Sequence, residues 1–189
     1  MFAGYGTVTD PDTPVAPMRT RQKFEMATLM SIDPSLFIRA GMLSVYDEAL
    51  QVGPNYGSGA GGFWKLYGYN SANIASSYFF GDAVVPAIFH QDPRYFRKGT
   101  GSAKSRIWWA LRSQVIAFSD KGTEMPNYGS MLGLGMSAAL SNAYMPPQNI
   151  SFGKTMEGFA IKQGVKAGLD ISREFGGLGR LMSLMKRPH

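Results

Sequence analysis

The chain has no cysteine among its 189 residues. This excludes a disulfide framework, a thiolate metal site and a cysteine nucleophile. Histidine is almost as scarce: His90 is internal and His189 is the last residue. Zinc would therefore need Asp or Glu for most of its ligands, and neither a metal nor a cofactor is expected. Charge is thin as well, at 17% against the ~25% usual for soluble domains. The mean hydropathy of −0.12 is too polar for a chain that mostly spans a membrane. The first residues lack a basic stretch followed by an apolar one, so no signal peptide is visible in this numbering. Helix-compatible segments dominate, and no second compositional block argues for two domains.

What remains is rich in glycine (23), methionine (12) and aromatic residues (13%). The expectation is an all-α fold, one compact domain of five or six helices with close crossings at Gly and Ala. Residues 1–19 carry Asp10-Pro11, Thr13-Pro14 and Ala16-Pro17 and read as a flexible arm. Residues 20–175 form the helical domain, and 176–189 form a flexible basic tail.

A first helix is expected from Thr20 to about Met30. Asp33-Pro34 starts a second, with Asp33 as cap and Pro34 in the first turn, and Gly53-Pro54 ends it. Leu36, Leu43 and Leu50 recur along one side, and Ile38, Met42 and Val45 widen the apolar face. The glycines between 53 and 62 match neither GxGxxG nor GxxxxGK[ST], which argues against a nucleotide loop. A long helix, or two in line, is expected from Phe63 to Phe89. Its stretch 71–89 approaches the ~20 apolar residues of a bilayer crossing, but holds Asn73, three serines, Asp82 and Pro86. It reads as a buried core helix, with membrane insertion as the alternative.

Ser102 caps a helix expected to run from Ala103 to about Phe118, with Ile107, Leu111, Val115 and Phe118 inward. Another runs from Asn127 to Met145, with a GxxxG at Gly129 and Gly133. Ser151 caps the last, Phe152 to Phe175. Its polar face, Lys162, Lys166, Asp170 and Arg173, is expected to border water, with Met156, Ala160, Gly164, Ala167 and Ile171 on a different face.

From Pro93 to Ser119 there are six cations and no acid, so this one segment equals the formal net charge of +6. Arg94, Arg97, Lys98, Lys104, Arg106 and Arg112 alternate with Tyr95, Trp108 and Trp109. Cations attract phosphates, and Trp and Tyr favour a membrane–water boundary. These nine residues are the candidate binding set. An anionic lipid or membrane surface is the expected partner, with a protein or membrane complex as another, while the low charge density makes nucleic acid unlikely. Beside them, His90 and Asp92 are the one histidine–carboxylate pair close in sequence, the composition of a general base and its orienting group. A turn that merely places the basic segment is the plainer reading.

The series FHQDPRYF (89–96), SDKGTEMPNYGSMLG (119–133) and SNAYMP (141–146), with IDPSLF (32–37) upstream, resembles an uncharacterised family of exported bacterial envelope proteins frequent in acidobacteria. The likeness runs from about Phe24 to Phe175. It implies a cell-envelope location, periplasmic or membrane-associated, and brings no catalytic residues. The expected function is a structural or binding protein of the envelope that contacts a membrane or a partner through 93–119. The alternatives are an envelope hydrolase using His90 and Asp92, and a small subunit of a larger membrane complex.

Overall fold

A computed structural model of the chain describes residues 6–8 and 15–176. It is mostly helical, with α1 (Thr20–Ile32), α2 (Pro34–Leu50), α3 (Gly59–Tyr78), α4 (Val85–Ile88), α5 (Ala103–Arg112), α6 (Leu134–Ser141) and α7 (Phe152–Glu174). Local chemistry sets the boundaries. Asp33 accepts the Ser35 N–H at 2.8 Å and starts α2, and Ser151 accepts the Lys154 N–H at 3.1 Å and starts α7. The expected tail lies almost wholly outside the described residues. Within the expected arm, β1 (Thr7–Val8) pairs in parallel with β3 (Tyr95–Phe96), so these two residues are held to the domain.

Helices α3 and α4 form one run through a π-helical turn, Phe79–Val84, and a second π turn, Gly129–Gly133, leads into α6. Pro86 cannot donate to the preceding turn, and the helix ends soon after it. The two π turns pack on each other at glycines. A Cβ on Gly133 would come within 2.6 Å of the Phe80 carbonyl, and one on Gly129 would collide with that of Gly81. The GxxxG is therefore a close backbone crossing, as its spacing predicts.

Where a loop and the end of a helix are expected, the chain builds a small sheet. Gln91–Asp92 (β2) pairs with Ile116–Ser119 (β4), which pairs with Glu124–Pro126 (β5), all antiparallel. Helix α5 thus stops at Arg112 instead of Phe118. The β-branched Ile116 opens the strand, and Asn127 holds the released Ser113 carbonyl at 2.6 Å.

The distribution of polarity departs furthest from expectation. On α7, Asp170 is 0% exposed and Lys162, Lys166 and Arg173 are partly buried, so the charged stripe faces the interior. The apolar side faces out, with Phe152 81%, Ile161 56% and Val165 44% exposed. Ile107 and Leu111 on α5 and Val115 in the turn beyond it are also exposed, as are Ile38, Met42, Val45 and Leu50 on α2. The buried apolar set is modest and includes five alanines, Ala27, Ala40, Ala83, Ala110 and Ala138. Alongside them lie Lys23, Ser44, Asn70, Ser130, Ser137, Asp170 and Glu174. Periodicity locates a stripe on a helix and not the side from which it is covered. Among the described residues, no helix is long and apolar enough to cross a membrane.

Candidate functional site

The basic-aromatic segment is assembled around one residue far away in sequence. Glu174, fully buried at the end of α7, accepts the Tyr95 hydroxyl at 2.7 Å, the Lys98 N–H at 2.7 Å and the Gly99 N–H at 3.3 Å. Arg106 Nε donates at 3.2 Å to Oε2, the oxygen that also accepts from Gly99, and the Arg106 guanidinium stacks 4.3 Å over the Phe175 ring. Arg97 closes the helix end by donating from Nε and Nη2 to the Glu174 carbonyl, at 3.0 and 2.8 Å. Burial, and then the Glu174 carboxylate, push the Tyr95 phenol far above its ordinary value.

The remaining candidates divide in the same way. Trp109 Nε1 donates to the Phe96 carbonyl at 2.8 Å, and Arg112 pairs with Glu124 at 2.7 Å. Lys98 Nζ donates to Ser105 Oγ at 2.6 Å. Lys104 and Trp108 are turned outward, with Trp108 68% exposed. The segment is thus mostly an internal lattice of cations and acceptors, and its outer face is apolar. Glu174 was missed in the sequence reading. A signal for it existed: an acid-free run with six cations needs carboxylates elsewhere, and Asp170 and Glu174 stand one turn apart on α7.

His90 and Asp92 are not brought together as a catalytic pair. Asp92 is buried and committed to Arg94, whose Nε reaches its two oxygens at 2.9 and 3.1 Å and whose backbone N–H donates at 3.0 Å. His90 is exposed and left-handed, with φ 52°, and its carbonyl accepts the Asp120 N–H at 2.8 Å. The pair serves as the turn that joins α4 to the sheet. Among the described residues, no three His, Asp or Glu side chains gather as a metal site would require.

A cleft opens between the first π turn, the small sheet and α5. It encloses about 530 Å³ out to its mouth, and its enclosed part has room for only a few waters. Asp82, Arg94, Arg112, Asn127 and Lys166 bring polar groups to it, beside Phe96, Trp109 and Phe118. Burial pushes the Asp82 carboxyl up to about 6, against the pull of Lys166 and Arg173. A π turn beside a cleft is a frequent setting for function, and an aspartate that titrates there can exchange a proton near neutrality.

Beyond Lys166, the inward face of α7 meets a second polar cluster, made of neutral groups. Lys162 Nζ donates to the Asn73 carbonyl at 3.2 Å, to Asn73 Oδ1 at 2.9 Å and to Ser77 Oγ at 3.2 Å. Ser137 Oγ lies 2.7 Å from Ser76 Oγ and 3.1 Å from Ser77 Oγ. Burial pushes the Lys162 amine down to about 7. No protein-family model, curated protein or solved structure matches this chain.

Proposed function

We propose that this protein is a non-enzymatic structural or binding protein of the cell envelope, and that the apolar outer faces of α5 and α7 lie against a membrane surface. The observation that carries the reading is the polarity of α7, charged inward and apolar outward. Apolar surface left in water costs roughly 25 cal/mol per Å². A large exposed patch marks a contact surface. Helix α5 lies along the C-terminal half of α7, linked by Arg106–Glu174 and, from the turn that follows it, by Gln114 Nε2 to Asp170 at 2.9 Å. Its own outer residues, Ile107, Trp108 and Leu111, extend the apolar face, with Val115 in the turn beyond its end, and Lys104 sits beside them. An aromatic and a lysine flanking an apolar face suit the headgroup boundary. Arg94, Arg106 and Arg112 are paired with carboxylates, and Arg97 and Lys98 are engaged by a carbonyl and a hydroxyl, so the attraction is apolar more than ionic.

Flotation with zwitterionic and anionic vesicles at low and high salt tests this. The expected result is binding to both, with little loss in salt. Trp108→Ala combined with Leu111→Ala is expected to weaken binding by about tenfold or more, since burying a large side chain contributes ~1.5–3 kcal/mol. A chain that stays with the soluble fraction overturns the reading, as does binding that salt abolishes and these substitutions leave intact. One observation favours a second reading, a subunit packed against other chains. Ala160, Gly164 and Gly168 line the outside of α7, with open space beyond both glycines, where a partner helix could approach closely. In that case the chain runs as a stable oligomer or complex and ignores vesicles.

A further inference from the structure

Helix α2 packs on α3 through the side that carries Leu36, Ala40 and Ser44, which are buried. There Asn70 Nδ2 donates to Ser44 Oγ at 3.1 Å and to Asp47 Oδ2 at 3.0 Å. The opposite side is bare. Ile38, Met42, Val45 and Ala49 run along its centre, with Tyr46 and Leu50 on one flank. Met42 is 68% and Ile38 64% exposed, and Val45, Tyr46 and Leu50 are each more than half exposed. No charged residue of α2 stands on this side. Arg39, Asp47 and Glu48 are all partly buried, and Arg39 donates to the Tyr78 hydroxyl. Along the centre line the apolar residues recur at spacings of four, three and four. A mean period of 3.5 residues is what keeps a seam of one helix facing another helix along its length.

We propose that α2 pairs antiparallel with α2 of a second copy of this chain. The helix is its own complement. About a two-fold axis midway between positions 43 and 44, Ile38 lies opposite the partner's Ala49 and Met42 opposite the partner's Val45. Each layer therefore sets a larger side chain against a smaller one, as interdigitated packing requires. Depletion of charge at the centre of the face is the composition of an interface core. Each large side chain here offers on the order of 100 Å², so the face amounts to roughly 600 Å² per copy, the lower end of a specific interface. Pairing at about micromolar concentration is expected from an area of that size. A lipid surface asks for neither a register nor a small residue opposite a large one. A helix lying in a headgroup boundary also carries cations on its flanks, and α2 exposes none. The proposal concerns α2 alone and does not rest on what α5 and α7 touch.

Sedimentation equilibrium of the full chain from about 1 to 100 μM reads its mass against the 20.6 kDa monomer. A species of twice the monomer mass is expected to grow with concentration. Met42→Glu should raise the dissociation constant by about a hundredfold or more, because a two-fold pair carries each substitution twice. Val45→Lys should weaken pairing in the same way. Both side chains face water in the single chain, so the helical circular dichroism of each variant should match wild type. Mixing M42E with V45K is expected to restore a pair, since the glutamate of one copy then lies opposite the lysine of the other. Trp108→Ala with Leu111→Ala should leave pairing unchanged, which separates this contact from the membrane face. A chain that stays monomeric at about 100 μM overturns the proposal, as does a dimer that M42E leaves intact. If Gly164→Leu abolishes that dimer instead, the contact lies on the outer face of α7. A monomer that binds zwitterionic vesicles and loses them on Met42→Glu assigns the face to a membrane and overturns the pairing.

Discussion

The C-terminal half of α7 buries Asp170 and Glu174 completely and gives each of them opposite charge. Asp170 holds Lys166 at 3.2 Å, Arg173 at 2.8 Å and the Gln114 amide, and Glu174 holds Arg106, Tyr95 and two backbone N–H groups. Burial alone raises a carboxyl, yet the cations around Asp170 hold it below its ordinary value. The N-terminal half of the same helix turns Lys162 inward onto neutral oxygens, and there burial goes unopposed. One inward stripe therefore contains a matched region and an unmatched one. Matched charges latch the helix to α5 and to the loop after β3. An unmatched charge costs stability and is expected to persist where it has a use.

The largest effect should come from breaking the matched half. Glu174→Ala strands Arg106, Tyr95 and the Lys98 and Gly99 N–H groups in a buried site. Removing one partner of such a pair costs about 3–5 kcal/mol. The urea midpoint is expected to fall accordingly, and Glu174→Gln, which keeps the shape and an acceptor, should recover part of the loss. A change below about 1 kcal/mol would mean that the lattice around Glu174 does not latch the fold.

Part of this was legible in the sequence. Caps at Asp33 and Ser151 and the GxxxG at Gly129 and Gly133 depend on neighbours within a few residues, and each acts as its pattern predicts. Short strands at 91–92 and 116–119 were not legible, because their pairing joins segments about 25 residues apart and overrides a helical period in 103–118. The candidate cations were found by composition, but the residue that Arg106 and Arg97 share as acceptor lies 68 and 77 residues away from them. The charged stripe on α7 was placed at the right residues and given the wrong direction, whereas the stripe after Ser102 ran past the end of α5, with Ile107 and Leu111 turned outward and Phe118 in the sheet. The assumption that polar faces meet water settles direction only when water surrounds the helix.

The unmatched half should respond with the opposite sign. The Lys162 amine titrates near 7 in the folded chain against an ordinary value of 10.5. Between these values the unfolded chain binds the extra proton, so this group makes stability rise with pH across the window and costs most below it. Lys162→Met removes the group. Relative to wild type it should be stabilised by about 1–3 kcal/mol below pH 7, with the difference shrinking towards pH 10. Urea titrations of both proteins at several pH values measure this. A constant difference, or destabilisation as large as that of Glu174→Ala, would place Lys162 with the matched charges.

Asp82 lies between the two halves and should give the smallest effect. It faces Lys166, Arg173 and Asp170, yet burial outweighs the two cations and raises its carboxyl from 3.8 to about 6. Here the folded chain holds the extra proton, so the contribution to stability falls as pH rises from 3.8 to 6 and stays low above that. Asp82→Asn keeps the shape and is always neutral. It should stabilise the chain by about 1–2 kcal/mol above pH 6 and have no effect below about pH 3, because the wild-type side chain is then protonated in both states. The reverse pattern, a loss on substitution above pH 6, would show that Lys166 and Arg173 hold Asp82 as a partner. The cations of the matched half would then extend to the first π turn, leaving Lys162 as the unmatched charge of the inward stripe.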